Sequence, residues 1–111
     1  MQRGDVYFCE FAQSTGSEQR KTRPVVIIQN NTGNKYSPTT IVVPITSIGK
    51  KPLPTHVYTS EVDKNGFFYG GIILCEQIFT VDKSRLQEYC GPLSKETMLK
   101  VNRALKISID I

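Results

Sequence analysis

Short apolar runs alternate with turn-forming stretches along most of this chain, and helical spacing emerges only near the C-terminus. The pattern predicts a first strand over residues 6–11. Val6 and Phe8 share one face and Tyr7, Cys9 and Phe11 the other, so this strand is expected to be covered on both sides. Residues 12–22 are polar and read as a long loop, a type of segment that in compact domains is usually functional or disordered. A β-branched run over 25–29 is the clearest strand, and the Asn-rich stretch 30–34 breaks it. A second β-branched run covers 39–47. It holds Pro44, which cannot donate to a ladder and is expected at an edge or bulge that re-aims its neighbours. A basic, proline-containing loop over 49–54 follows, then a short strand at 56–59 and a turn at 63–66 built on Asn65-Gly66. Strands are expected at 72–80 and 86–89. Ser94 is a plausible N-cap for a helix over 94–107, with Glu96 in its first turn and Met98, Val101 and Leu105 on its inner face. The sum is a mainly β chain with a C-terminal helix, folded as a small, partly open β-barrel.

Composition narrows the function classes. At 111 residues, one domain spanning 1–111 is expected, large enough to hold a core without metals or disulfides. With 39% hydrophobic and 22% charged residues, disorder is excluded. A net charge of +4 suits a polyanionic partner without demanding one. Cys9, Cys75 and Cys90 are widely spaced, no Cys-x-x-Cys occurs, and His56 is the single histidine, so no metal site or other cofactor is expected. Cys9 and Cys75 lie in apolar runs and read as buried reduced thiols, which points to a reducing compartment. The N-terminus does not read as a signal peptide, and the longest apolar run, 24–28, is far too short to span a membrane. A cytoplasmic location and no membrane partner are expected.

Taken singly, the polar residues have ordinary readings. Arg23 would be a solvated charge, Thr46 a strand residue chosen for β-propensity, and Glu18 a loop carboxylate. Arg20, Lys21, Lys50 and Lys51 would aid solubility. His56 is better placed as a structural residue than as a ribonuclease base, since no second histidine can serve as the paired acid. Phe67, Phe68 and Tyr69 fit core or dimer packing better than base stacking. Arg3-Gly4-Asp5 spells an adhesion tripeptide that a cytoplasmic chain gives no use.

An ordered set of segments says more than any of them alone. Arg3-Gly4-Asp5-Val6-Tyr7 is followed by Gly16-Ser17-Glu18-Gln19, Arg23-Pro24-Val25-Val26 and Ile45-Thr46-Ser47. Leu53-Pro54-Thr55-His56-Val57, Leu74-Cys75-Glu76-Gln77-Ile78 and Val81-Asp82-Lys83-Ser84-Arg85-Leu86 complete it. In this order and spacing the set resembles the MazF/PemK family of toxin endoribonucleases, and within it the branch found in Gram-positive bacteria. The resemblance implies an SH3-like barrel of the MazF/PemK/CcdB type and a homodimer. It implies metal-independent cutting of single-stranded RNA at short motifs, and neutralisation by a MazE-like antitoxin that lays a disordered segment into the RNA groove. It also places the family's catalytic arginine on Arg23, its catalytic threonine on Thr46 and the loop glutamate proposed as base on Glu18. Ser17, Gln19, Arg20, Lys21 and Gln77 are the expected RNA contacts.

These side chains suit the chemistry. RNA carries its own nucleophile: the 2′-OH attacks the adjacent phosphorus, leaving a 2′,3′-cyclic phosphate and a 5′-OH. The enzyme must align the backbone, stabilise added negative charge and manage two protons. A guanidinium binds two phosphate oxygens with its planar fork but is a poor base. The chain departs from relatives in two places: Arg20 and Lys21 stand where small residues are common, and Phe79 stands where arginine is common. Two alternatives share the scaffold, a non-catalytic gyrase poison of the CcdB type and an SH3-like adaptor. The adaptor would need an exposed aromatic groove, whereas the loops here are basic.

Overall fold

Period-two alternation sorts the strand residues into two apolar layers. A computed structural model describes residues 1–12, 20–47, 49, 51–60 and 71–111; for residues 12, 20 and 21 it describes the backbone alone. Val6, Val26, Val43 and Ile45 belong to one buried cluster, while Cys9, Val25, Ile27 and Val42 belong to another. Neighbouring residues such as Val25 and Val26 thus point to opposite faces, and both faces are covered, as expected for the first strand.

The strands are β1 (Asp5–Ala12), β2 (Arg20–Ile27), β3 (Thr39–Thr46), β4 (His56–Thr59), β5 (Gly71–Leu74), β6 (Phe79–Asp82) and β7 (Leu86–Pro92). They form one antiparallel sheet in the order β4-β5-β3-β2-β1-β7, with β6 also paired to β3. Among the described residues the sheet is open, with β4 and β7 as its ends, which agrees with a partly open barrel rather than a closed one. The C-terminal helix α2 (Lys95–Ile109) covers the first cluster with Val101 and Ala104, and with Met98 and Leu105 at the margin. Ser94 caps it, its side chain accepting from the Thr97 N–H, a contact worth about 1 kcal/mol. Helix and cap fall where the sequence places them, and the helix runs two residues further.

Four local expectations need correction. The expected loop 12–22 is shorter, because β2 begins at Arg20 and pairs with the end of β1 through Ala12↔Arg20 and Phe11↔Lys21. The expected break after residue 29 contains a short helix, α1 (Asn31–Tyr36). Intrinsic propensity does not predict it; side-chain amides hold it. Asn30 accepts from the Gly33 N–H, and the buried Asn34 accepts from Thr40 Oγ1 at 2.8 Å and donates to the Gln29 carbonyl at 2.9 Å. The expected strand 72–80 is two strands, β5 and β6, separated by an excursion. The expected strand 86–89 extends to Pro92. The turn at 63–66 and the aromatics Phe67, Phe68 and Tyr69 lie outside the described residues.

Pro44 explains the excursion. β6 pairs with the first half of β3 up to Val42↔Phe79, and β5 pairs with its end from Ile45↔Ile73. Val43 and Pro44 therefore face residues 74–78, which leave the ladder where the proline offers no N–H. Pro44 itself is buried and paired to β2 through Val25. It is not at a sheet edge; it sits where one flank of β3 changes partners.

Cys9, Cys75 and Cys90 are all buried and reduced, and burial pushes the Cys75 thiol up to about 12. Among the described residues no helix is long and apolar enough to cross a membrane.

Candidate active site

Strand register brings the two expected catalytic residues together. β2 and β3 pair through Ile27↔Val42, Val26↔Val43 and Val25↔Pro44. The ladder ends there; Arg23 lies two residues before Val25 on β2 and Thr46 two residues after Pro44 on β3, so extending the register past the last pair sets Arg23 toward Thr46. Both lie on the face that holds Val25, Ile27 and Val42, and both are half-buried. On β1, Cys9 is the partner of Arg23. Among the described residues the Arg23 guanidinium has no hydrogen-bond or ion-pair partner, so its donors remain available for a ligand. A guanidinium facing a hydroxyl across two strands can hold an oxyanion between them.

Gln77 is carried by the excursion opposite Val43 and Pro44 of β3 and is half-buried. This excursion is anchored firmly. The Cys75 N–H donates to the Thr55 carbonyl at 3.0 Å and the Gln77 N–H to the Leu74 carbonyl at 3.1 Å. Glu76 Oε1 accepts from Thr55 Oγ1 at 3.1 Å, and Oε2 lies 2.9 Å from His56 Nε2. Burial opposes the charged form of Glu76. Its own backbone N–H, His56 and Thr55 outweigh that effect and hold its carboxyl below the usual carboxylate range. The His56 side chain is buried on β4, with Nδ1 unpaired. It acts as a structural clamp on the segment that presents Gln77, which agrees with the structural reading of that residue.

Ser17, Glu18 and Gln19 lie outside the described residues. Arg20 and Lys21 occupy the first two positions of β2, so they continue the strand that carries Arg23. Gly71 is a site-supporting residue that the sequence reading missed. Its φ is +150°, and a Cβ built there would stand 2.3 Å from the Thr46 carbonyl oxygen. Only glycine lets β5 approach Thr46 this closely. Arg85, in a 3-10 turn between β6 and β7, was also missed, although it stands inside a segment that carried the family resemblance. Among the described residues no group of three His, Cys, Asp or Glu side chains is placed to hold a metal ion.

Fold and site together define a class: small open antiparallel β proteins covered on one face by a C-terminal helix, with a cation inside one central strand and a hydroxyl at the end of its neighbour. The chain belongs to the PemK-like, MazF-like toxin family of type II toxin–antitoxin systems, which it matches over residues 2–109. It is 50% identical over 114 residues to an endoribonuclease MazF of Staphylococcus saprophyticus, covering all of this chain and 92% of that one. It is 49% identical over 112 residues to endoribonuclease EndoA of Bacillus subtilis, covering 98% and 94%. Among solved structures, a mycobacterial endoribonuclease in complex with its cognate antitoxin superposes with a TM-score of 0.81 at 27% identity, over 100% and 96% of the two chains. A MazE–MazF complex from Deinococcus radiodurans gives 0.80 at 18% identity, over 100% and 96%, a likeness of fold. The expected Gram-positive branch matches the organisms of the half-identical relatives.

Proposed function

We propose that this chain is the toxin of a type II toxin–antitoxin system: a cytoplasmic, homodimeric endoribonuclease that cuts single-stranded RNA at a short motif without a metal and is neutralised by a MazE-like antitoxin. One domain spanning 1–111 carries the activity. What supports this reading is that the β2–β3 register, extended past its last pair, sets Arg23 toward Thr46 in a chain half-identical to proteins named endoribonuclease.

In this reading the RNA lies across the strand ends with its scissile phosphate between Arg23 and Thr46. The 2′-OH attacks phosphorus in line, a P–O bond forms, and the bond to the 5′-oxygen breaks. Arg23 binds the non-bridging oxygens as charge builds and donates toward the departing 5′-oxygen. Thr46 donates to a phosphate oxygen and orients the 2′-OH. Glu18 takes the proton from the 2′-OH. Ser17, Gln19, Arg20, Lys21 and Gln77 hold the flanking nucleotides, with Gln77 turned toward bases on its clamped excursion.

Incubation of purified protein with a long mixed-sequence RNA in excess EDTA, with end mapping, tests this. Discrete cuts leaving 5′-OH ends, absent in Arg23→Ala, are expected. A folded protein that cuts nothing, or an Arg23→Ala variant that cuts like wild type, refutes it.

A further inference from the structure

β6 pairs with β3 on one side, and among the described residues no strand pairs with its other side. A cleft of about 320 Å³ lies against β6, lined by all four of its residues together with Phe11, Thr39 of β3 and Arg85. That size is at the small end of ligand pockets and too small for a duplex. Phe79 is a large aromatic left 42% exposed at the mouth. Phe11 props it from one side, the ring centroids 5.5 Å apart and the planes tilted by 58°, while part of the Phe79 ring still faces solvent. An exposed, propped aromatic beside a cation is the composition of a stacking platform for single-stranded nucleic acid. Asp82 occupies the N-cap position of the 3-10 turn yet makes no capping hydrogen bond. The Asp82 carboxylate disfavours a phosphate beside it and leaves that part of the cleft to a neutral base, with Arg85 the lining group suited to a phosphate.

The cleft draws on the strand face that carries the candidate active site. Phe79 pairs with Val42, and Phe11 lies two residues from Cys9 on the same strand face, the face that also holds Arg23. Arg23 is the partner of Cys9 on the β2 side, and Leu86, next to Arg85, is its partner on the β7 side. Burial pushes the Cys9 thiol up, and the Arg85 guanidinium is close enough to pull it back in part. Arg23 and Arg85 therefore flank Cys9, separated by about two strand spacings, or about 10 Å.

We propose that the β6-edge cleft is a subsite for one unstacked nucleobase next to the scissile phosphate, with Phe79 as the stacking surface and Arg85 as the anchor for that nucleotide's phosphate. The proposal rests on the RNA-cutting reading and deepens it by naming where a flanking base is held. Sequence preference at that position then depends on stacking and on the rim groups Thr80 and Asp82.

The test uses the full chain with a single-stranded oligonucleotide made non-cleavable by a 2′-deoxy sugar at the cut site, alongside mapping of cuts in long RNA. Phe79→Leu should weaken binding about 10-fold, within the range of one lost base–aromatic stack, and relax the motif at one position. Phe79→Tyr should restore both. Arg85→Gln should lower the salt slope of binding by about 0.7, the value for one phosphate of a single strand. Phe79 is exposed, and circular dichroism confirms that each variant is folded. A Phe79→Leu protein that binds and cuts as wild type overturns the subsite alone, provided wild type cuts and Arg23→Ala does not. Wild type that neither binds nor cuts RNA overturns the subsite together with the reading it rests on.

Discussion

Gly71→Ala probes the coupling between packing and catalysis at one point. The added methyl would stand 2.3 Å from the Thr46 carbonyl oxygen and 3.1 Å from its carbon, where ordinary contact begins at 3.4 Å. Both atoms are backbone, so no side chain can swing away. Relief requires β5 to withdraw from β3 at Thr46↔Ile72 or β3 to bend. Alanine at the φ of +150° found at Gly71 adds strain of about 1–2 kcal/mol. A weakened ladder hydrogen bond adds about 1 kcal/mol. The stiffer unfolded chain offsets about 0.4–1 kcal/mol of this. The net loss is about 1–3 kcal/mol, with a displacement near 1 Å centred on Thr46. Misplacement of that size at a reacting group lowers turnover by about 100-fold. Urea denaturation gives the stability change. Single-turnover cleavage at a temperature where the variant is still folded gives the rate. A variant with wild-type stability and wild-type cleavage would refute the close approach and the placement of Thr46 with it.

Other expectations follow from the site. Thr46→Ala should lower turnover more than RNA affinity, as separate binding and single-turnover measurements would reveal; a pure affinity loss would make Thr46 a binding residue. Replacing Arg20 and Lys21 together with Gly should weaken binding and lower the salt slope by up to about 1.4, or 0.7 per phosphate contact, and an unchanged slope would place both away from phosphate. The folded Glu76 carboxyl is held below its ordinary value, so its contribution to stability is present above the unfolded pKa of about 4.3 and is lost as pH falls through the lower folded value. Glu76→Gln should flatten that acid limb of stability against pH and blur the cutting motif through Gln77. An unchanged limb would show that the clamp to His56 and Thr55 adds no pH-dependent stability.

The sequence by itself determined the elements whose pattern is local. Bulky residues on both faces at 6–11 and β-branching at 25–29 and 39–47 follow from which side chains can face a core on each side of a strand. Ser94 and the helical spacing of Met98, Val101 and Leu105 set the one long helix, because capping and a 3.6-residue period act over a few residues. The ordered segments also marked Arg23, Thr46 and Gln77 as candidates. Only tertiary structure decided what depends on distant partners. Residues 20–22 are strand because β1 is there to pair with them. Helix α1 exists because Thr40 and Gln29 meet the amide of Asn34. The run 72–80 divides because Pro44, far away in sequence, interrupts the ladder opposite it. Register then carried Arg23 and Thr46 on neighbouring strands and brought Gly71 onto the Thr46 carbonyl. Phe79 looked like a mere departure in the chain, and packing beside Phe11 and Arg85 gave it an address. Such contacts join residues tens of positions apart, and no local pattern carries them.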